Sequence, residues 1–142
     1  MLRSVLLIGA VVLMAGPALA ENACGIAPIA PAIATGADLA GKTTDEAHTT
    51  ALAALKSVKA YQVTLSSFRE CLVTQTTAQK AALASAKDDK AKKAATDQLA
   101  DIQTAYDKTV DTETAVVTDY SNLHNAYCKM GDGLAGCARP KP

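Results

Sequence analysis

The sequence lacks the residues from which aromatic pockets and highly charged surfaces are built. Tryptophan is absent, and phenylalanine occurs once, tyrosine four times and histidine twice among 142 residues. With so few rings, a wide aromatic-lined ligand pocket is not expected. Net charge is missing too, because 14 basic residues balance 14 acidic ones. The chain carries no electrostatic signature of nucleic-acid binding, so we predict no nucleic-acid partner.

The sequence motifs of common enzymes and cofactor sites are also missing. The chain contains no glycine-rich phosphate loop, no H-E-x-x-H and no spacing typical of a Ser–His–Asp triad. It has neither C-x-x-C nor C-x-x-C-H, so thioredoxin-like redox chemistry and covalent haem attachment are unsupported. We therefore predict that the protein is not an enzyme and binds no cofactor.

Residues 1–20 have the features of a cleaved export signal. Arg3 provides a short positive region, residues 5–14 are largely apolar, and residues 18–20 form an A-x-A cleavage site. The apolar run is too short for a typical membrane-spanning helix. We expect cleavage after Ala20, a periplasmic or secreted mature chain, and no stable membrane insertion after cleavage.

A long stretch without helix breakers dominates the rest of the chain. Residues 42–130 contain neither glycine nor proline and are rich in alanine, which favours helix. Thr43 and Glu46 have the spacing of a capping box at its start, and Gly131 follows its end. A single helix of this length would be too long for a small compact domain, so the stretch must contain a turn.

The heptad pattern predicts a turn, and the polar segment 85–90, with two possible N-cap aspartates, places it near Lys87. In the first half, the positions that would face a neighbouring helix are Ala47, Ala51, Ala54, Val58, Tyr61, Leu65, Phe68 and Leu72. In the second half they form two series: Leu99, Tyr106, Glu113, Tyr120 and Tyr127, and Ala95, Ile102, Thr109, Val116 and Leu123. The halves differ in phase by one residue, so no unbroken face runs through both. In a hairpin, alanines at the open end would face large residues, and Glu113 would meet the Tyr61 hydroxyl in a polar layer.

The predicted fold is all-α, an antiparallel two-helix hairpin with helices at about 44–86 and 89–129. An extended, proline-containing N-terminal arm precedes it, and disulfides staple the structure. The predicted parts are a signal peptide at 1–20, the arm at 21–42, the helical hairpin at 43–130 and a C-terminal tail with glycine and proline at 131–142.

An even number of cysteines in a small exported chain predicts disulfides. Small side chains flank Cys71 along the hairpin and leave a groove wide enough for an extended chain. A helix from Thr44 to Cys71 spans about 40 Å, and the arm between Cys24 and Thr44 reaches at most about 66 Å. The arm can therefore double back, so we predict Cys24–Cys71 and, by proximity, Cys128–Cys137.

The opposite side of the hairpin, here called the Val117 flank, carries four apolar residues: Leu55, Leu83, Val110 and Val117. Two helices alone leave this stripe uncovered, and an uncovered apolar stripe indicates a partner surface. The partner would be an unknown protein or a second copy, giving a homodimeric four-helix bundle. Alternatively, the isoleucine-rich arm crosses over and covers the stripe.

His48 and His124 would lie together near the open end of the hairpin. Imidazole is a good ligand for zinc, copper and nickel, but two histidines are fewer than the three or four protein ligands of a good site. We expect surface histidines here and no metal in one chain, although a dimer could bring four imidazoles together.

Some of these features resemble a known group of proteins. The residues concerned are Cys24, Pro28, Pro31, Val58-x-x-Tyr61 and Phe68-x-x-Cys71-Leu72. Together with the signal peptide, they resemble small exported bacterial proteins of uncharacterised function. The resemblance implies an exported helical hairpin and no activity, and it does not extend to Cys128 and Cys137. The predicted function is a non-enzymatic interaction or structural module that presents a helical face; the alternative is a small-ligand or divalent-metal binder at the His48/His124 end.

Overall fold

The computed structural model describes residues 23–137, which form an antiparallel hairpin of two long helices. Helix α1 spans Thr44–Ser85 and helix α2 spans Asp89–Cys128, with residues 86–88 connecting them. The rest of residues 23–137 contains one short 3₁₀ helix, Gly36–Leu39, and no strand. The predicted all-α hairpin is confirmed to within one residue at each helix end. The predicted signal peptide, its cleavage site and residues 138–142 of the tail lie outside the described residues.

Local hydrogen bonds fix both helix starts. The backbone N–H of Glu46 donates to Thr43 Oγ1 over 3.3 Å, and the Glu46 carboxylate accepts from the backbone N–H of Thr43 over 2.8 Å. At α2, the Asp88 carboxylate accepts from the backbone N–H of Ala91 over 2.8 Å. These bonds satisfy N–H groups that have no partner inside the helix. The short connection between two capped helices leaves them as antiparallel neighbours.

The hairpin core is a narrow stripe along each helix. In α1 the buried residues are Ala47, Ala51, Ala54, Val58, Tyr61, Leu65, Phe68 and Leu72. In α2 they are Ala95, Ile102, Thr109, Val116, Leu123 and Tyr127. All eight predicted α1 positions are buried, whereas Leu99, Tyr106, Glu113 and Tyr120 of the other α2 series are only half-buried. The prediction that both α2 series are core positions is wrong for these four residues.

The N-terminal arm is the third packed element. A disulfide joins Cys24 to Cys71, with 5.7 Å between their Cα atoms. Ala30 and Ile33 pack against a core cluster in the middle of the hairpin, and Leu39 is buried with Leu123 and other residues at the open end. The arm therefore runs back along the Cys71 side and does not cross over to the Val117 flank, which decides between the two paths that the sequence left open.

A close contact with α2 and a 3₁₀ turn shape the C-terminal part of the arm, around Gly36. The Asp38 carboxylate accepts hydrogen bonds from the backbone N–H and the hydroxyl of Thr35, over 2.7 and 2.9 Å. A Cβ atom on Gly36 would lie 2.9 Å from the Cβ of Ala126, so only glycine fits without a shift. The sequence predicted an extended arm throughout, and the 3₁₀ helix is the correction. Its signal, a Thr-x-x-Asp spacing, is the same cap pattern that starts α1.

The isoleucines of the arm do not all pack. Ile33 contacts two of the core clusters, but the side chains of Ile26 and Ile29 are 93% and 90% exposed. Pro28 and Pro31 favour an extended path in which successive side chains face different directions. The arm is thus held mainly by Cys24 at its start and by its C-terminal part, which includes Ile33 and Leu39.

The disulfides predict a defined pattern of linked peptides. Peptide mapping of the unreduced protein is expected to recover Cys24 linked to Cys71 and Cys128 linked to Cys137. On the loop-entropy model, the two bonds contribute about 4 and about 2.7 kcal/mol of stability, because the first closes the longer loop. A Cys71–Cys128 link, or free thiols, would contradict both the pairing and the path of the arm.

The narrow core predicts a sharp contrast between two leucines of α1. Leu65 is 1% exposed and Leu52 is 52% exposed. Leu65→Ala should lower the free energy of unfolding by about 2–5 kcal/mol, because it leaves a cavity. Leu52→Ala removes the same atoms and should change it by less than about 0.5 kcal/mol. Urea unfolding of the two variants provides the measurement, and equal midpoints would mean that the helix register is wrong.

Candidate functional site

The Val117 flank remains open to solvent. Val110 and Val117 are 42% and 41% exposed, while Leu55 and Leu83 are half-buried. The arm contacts the three core clusters from the other side of the hairpin. An apolar stripe on one side and a covered groove on the other therefore distinguish the two faces of the molecule.

A polar network crosses from α1 to α2 on this flank. Arg69 donates from Nη1 to Glu113 Oε2 over 2.6 Å and from Nε to Thr109 Oγ1 over 2.8 Å. Gln62 Nε2 donates to Glu113 Oε1 over 2.9 Å. The carboxylate thus uses both oxygens to join two α1 side chains to α2. The ion pair between Arg69 and Glu113 leaves no net charge at the middle of the Val117 flank.

The sequence predicted a different partner for Glu113. It placed the carboxyl against the Tyr61 hydroxyl, but the observed partners are Arg69 and Gln62. The side chains of Arg69 and Glu113 are 20% and 25% exposed, whereas Tyr61 is 6% exposed. A carboxylate is more stable at this edge, beside a guanidinium, than in the core beside a phenol.

The pKa values of Glu113 and of the neighbouring, buried Tyr61 are shifted in opposite directions. Hydrogen bonds from Arg69, and then from Gln62, lower the pKa of Glu113 below its ordinary value. Burial raises the pKa of Tyr61, and the opposite charges of Arg69, which lowers it, and Glu113, which raises it, act against each other. Glu113 is therefore a stable anion and a poor proton donor near neutral pH. This arrangement favours a structural role for the carboxylate over general acid catalysis.

Arg69 has one nitrogen that the network does not satisfy. Its Nη2 atom is buried and has no hydrogen-bond acceptor among the described residues. The guanidinium carbon lies 5.6 Å from the centre of the Tyr106 ring. The negative face of an aromatic ring attracts a cation at this distance, so Tyr106 compensates part of the missing hydrogen bond.

Two shallow clefts meet at this network. One, of about 650 Å³, includes Arg69, Tyr106 and Glu113 in its lining. The other, of about 290 Å³, lies against Val110 and Val117 and shares Arg69 and Glu113. The wall that the two clefts share carries only the paired charges of Arg69 and Glu113. The clefts are therefore better suited to contact another protein surface than to perform acid–base chemistry.

Both histidines lie at the open end of the hairpin, around one tyrosine. The His48 ring stacks on Tyr127 with 5.5 Å between ring centres. The His124 ring stacks on Tyr120 at 5.9 Å and is tilted against Tyr127 at 6.2 Å. The aromatic contacts give each imidazole a structural role. A two-histidine metal site stays a prediction.

His124 also contacts the second disulfide. Cys128 is joined to Cys137, and the Cys128 Sγ atom lies 3.6 Å from His124 Nε2. Potential ligand atoms of His124, Cys128 and Cys137 all lie within 4.8 Å of one another. His48 is not part of this group. The cluster was not predicted, because the two cysteines were assigned only to a disulfide, although the His-x-x-x-Cys spacing places His124 and Cys128 on one helix face.

Comparisons with known proteins provide no relative from which a function could be transferred. No family model, curated protein or solved structure matches the chain. No helix within residues 23–137 combines the length and the apolar character required to cross a membrane. The two disulfides indicate an oxidising, exported environment. The function must be inferred from these residues themselves.

The ion pair predicts an acid-sensitive contribution to stability. The pKa of Glu113 is lower in the folded protein than its ordinary value of 4.5, so its contribution is complete above that pH and is lost as pH falls through the lower, folded value. Wild-type protein should therefore lose more stability between pH 7 and pH 3 than Glu113→Gln. Urea midpoints at both pH values measure the difference.

Arg69→Gln is the matched control because it removes the first cause of the lowered pKa. It should reduce the acid-induced loss of stability much as Glu113→Gln does. Equal losses in the wild type and in Glu113→Gln would contradict the proposed role of the ion pair.

Proposed function

We propose that this protein is an exported, non-enzymatic interaction module that presents the Val117 flank to a second copy of itself. Residues 1–20 act as its signal peptide, with cleavage after Ala20 and release into the periplasm or the medium. The observation that carries the proposal is the partial exposure of Val110 and Val117 on the one flank that the arm leaves uncovered.

The number of packed elements supports a second copy as the partner. The arm fills the groove on the Cys71 side, whereas on the other side the loop after α2 reaches only the His124 end and leaves Val110 and Val117 exposed. Two hairpins packed through this flank would form a four-helix bundle, in which each helix has neighbours on two sides. A two-fold interface of this kind uses the same surface on both copies.

Charge also supports association between identical chains. The formal net charge is zero for the whole sequence and −1 once Arg3 is removed with the signal peptide, so two copies do not repel each other strongly. At the centre of the flank, Arg69 and Glu113 neutralise each other within one chain. Interface centres are depleted in unpaired charge, and the cleft beside Val110 and Val117 meets this requirement. Residues Thr114 and Thr118 complete its lining and add hydroxyl groups without charge.

A non-enzymatic role fits the chemistry of the site. Glu113 is held as an anion by two hydrogen-bond donors, and the imidazoles are engaged by tyrosine rings. The alternative function, binding of a small ligand or a divalent metal between His48 and His124, is less favoured, because Tyr127 contacts both rings.

Oligomeric mass tests the proposal. Light scattering of the disulfide-intact protein at micromolar concentration should give the mass of a dimer. Val117→Lys should give a monomer, because it places an unpaired charge at the centre of the interface.

Val63→Lys is the matched control. Val63 is 70% exposed and lies two residues from the buried Leu65, on the outer side of α1. This variant should remain dimeric. A wild-type monomer would exclude the second copy as partner, and a dimer that tolerates Val117→Lys would exclude this flank.

A further inference from the structure

The loop that follows α2 joins three metal-ligating residues in one place. His124 and Cys128 lie one helical turn apart on α2, and Cys137 returns to them after an eight-residue loop. Their potential ligand atoms lie within 4.8 Å of one another. All three residues are half-buried, so the group is partly shielded but still accessible from solvent.

The spacing between nitrogen and sulfur already suits tetrahedral coordination. Zinc binds histidine nitrogen at about 2.0–2.1 Å and cysteine sulfur at about 2.3 Å, which places the two ligand atoms about 3.6 Å apart at a tetrahedral angle. The observed separation of His124 Nε2 and Cys128 Sγ is 3.6 Å. This edge of the coordination tetrahedron is therefore formed without any movement of α2.

The remaining ligand needs a limited adjustment of the loop. Two zinc-bound thiolates lie about 3.8 Å apart, so Cys137 must move away from Cys128 once their bond is broken. Glycines at 131, 133 and 136 lie in the connecting loop, and two of them adopt positive φ values. Such a loop can shift more easily than a helix.

The histidine is held in position for this role. Its ring is stacked on Tyr120 and tilted against Tyr127, which restricts rotation of the imidazole before any ligand arrives. Gly136 brings the loop backbone against the ring, since a Cβ atom there would lie 3.8 Å from His124 Cε1. Fixed ligands of this kind lower the cost of ordering a metal site.

We propose that reduction of the Cys128–Cys137 disulfide converts this loop into a zinc site, with Cys128, Cys137 and His124 as ligands and one open coordination position. A dithiol reductant gives two electrons and two protons to the disulfide and is itself oxidised to a disulfide. The two thiols then release two protons as they bind Zn²⁺ as thiolates. Disulfide and metal are thus alternative ways to close the same loop.

The chemistry of the ligands favours zinc over harder ions. Thiolate and imidazole ligands select zinc and related soft or borderline ions, whereas magnesium and calcium prefer oxygen. The proposal does not depend on dimer formation, because all three ligands belong to one chain. It also differs from a site between His48 and His124, since it uses only one of the two histidines.

The experiment compares metal binding by oxidised and reduced protein. The full mature chain is reduced with a phosphine, desalted without oxygen and titrated with Co²⁺, a spectroscopic substitute for Zn²⁺. Reduced wild-type protein should bind one ion and show sulfur-to-cobalt charge-transfer absorption together with the intense visible bands of tetrahedral cobalt. Addition of Zn²⁺ should displace the cobalt. Oxidised protein should show no such absorption.

Two variants separate this site from the other thiol pair and the other histidine. The double variant Cys128→Ser, Cys137→Ser keeps Cys24 and Cys71 and should lose the charge-transfer signal. His124→Gln should weaken binding at least tenfold, since loss of supporting groups around a metal alone costs 10–100-fold. His48→Gln, which also removes a ring stacked on Tyr127, should bind as the wild type does.

Circular dichroism recorded on each reduced sample confirms that the helices persist. Equal cobalt binding by the serine double variant and the wild type would overturn the proposal, as would loss of helix on reduction that Zn²⁺ does not reverse. Unchanged affinity in His124→Gln would exclude the histidine as a ligand and overturn the three-ligand site.

Discussion

Packing of the arm against the hairpin is the contact on which the rest of the structure depends. Each of the three core clusters includes an arm residue: Cys24 at one end, Ile33 in the middle and Leu39 at the open end. The helices alone offer a stripe in which three of the eight buried α1 residues are alanine. Such a stripe buries little apolar area per turn. The arm adds apolar area, and its disulfide reduces the entropy that the unfolded chain gains.

The same packing explains why the two sides of the hairpin differ. The arm lies over the Cys71 side of the hairpin and covers it. Ala105, Thr112 and Ala126 of α2 are half-buried there. On the other side, Tyr106 and Glu113 sit at the edge of the core and line a cleft. The polar network thus lies on the flank that the arm leaves open.

Much of this fold was predictable from the sequence because its signals are local. Thr43 and Glu46 define one helix start, and the phase shift in the heptads defines the turn. The disulfide pairs followed from chain reach and from the spacing of small residues, both of which are geometric. The register followed from the position of the turn, and the alanines of α1 at the open end pack with Leu123 and Tyr127 accordingly.

The failures have different physical causes, and the first is the presence of a third element. A heptad pattern treats both core positions of a helix as equivalent, and this holds only for two helices that pack symmetrically. With the arm on one side, Tyr120 moves to the edge of the core and stacks on His124 instead. Arg69 was missed as a partner of Glu113 because a long, flexible side chain can reach well beyond the residue opposite its own Cα atom. The 3₁₀ helix was missed because the prolines ahead of it dominated the reading of the arm.

The two disulfides constrain different parts of the chain, the arm and the loop after α2. This difference determines which of the two bonds can be exchanged for a metal ion. The Cys24–Cys71 bond spans 47 residues and holds an element that every core cluster contacts, so breaking it frees the arm at one end. The Cys128–Cys137 bond spans 9 residues and closes a loop after the last helix. The buried residues of the core cluster at the open end lie in the arm and the two helices, Leu123 and Tyr127 among them, and the loop adds only partly buried residues to it. Reduction of the second bond therefore removes a smaller constraint and leaves His124 fixed on the helix beside the freed sulfurs.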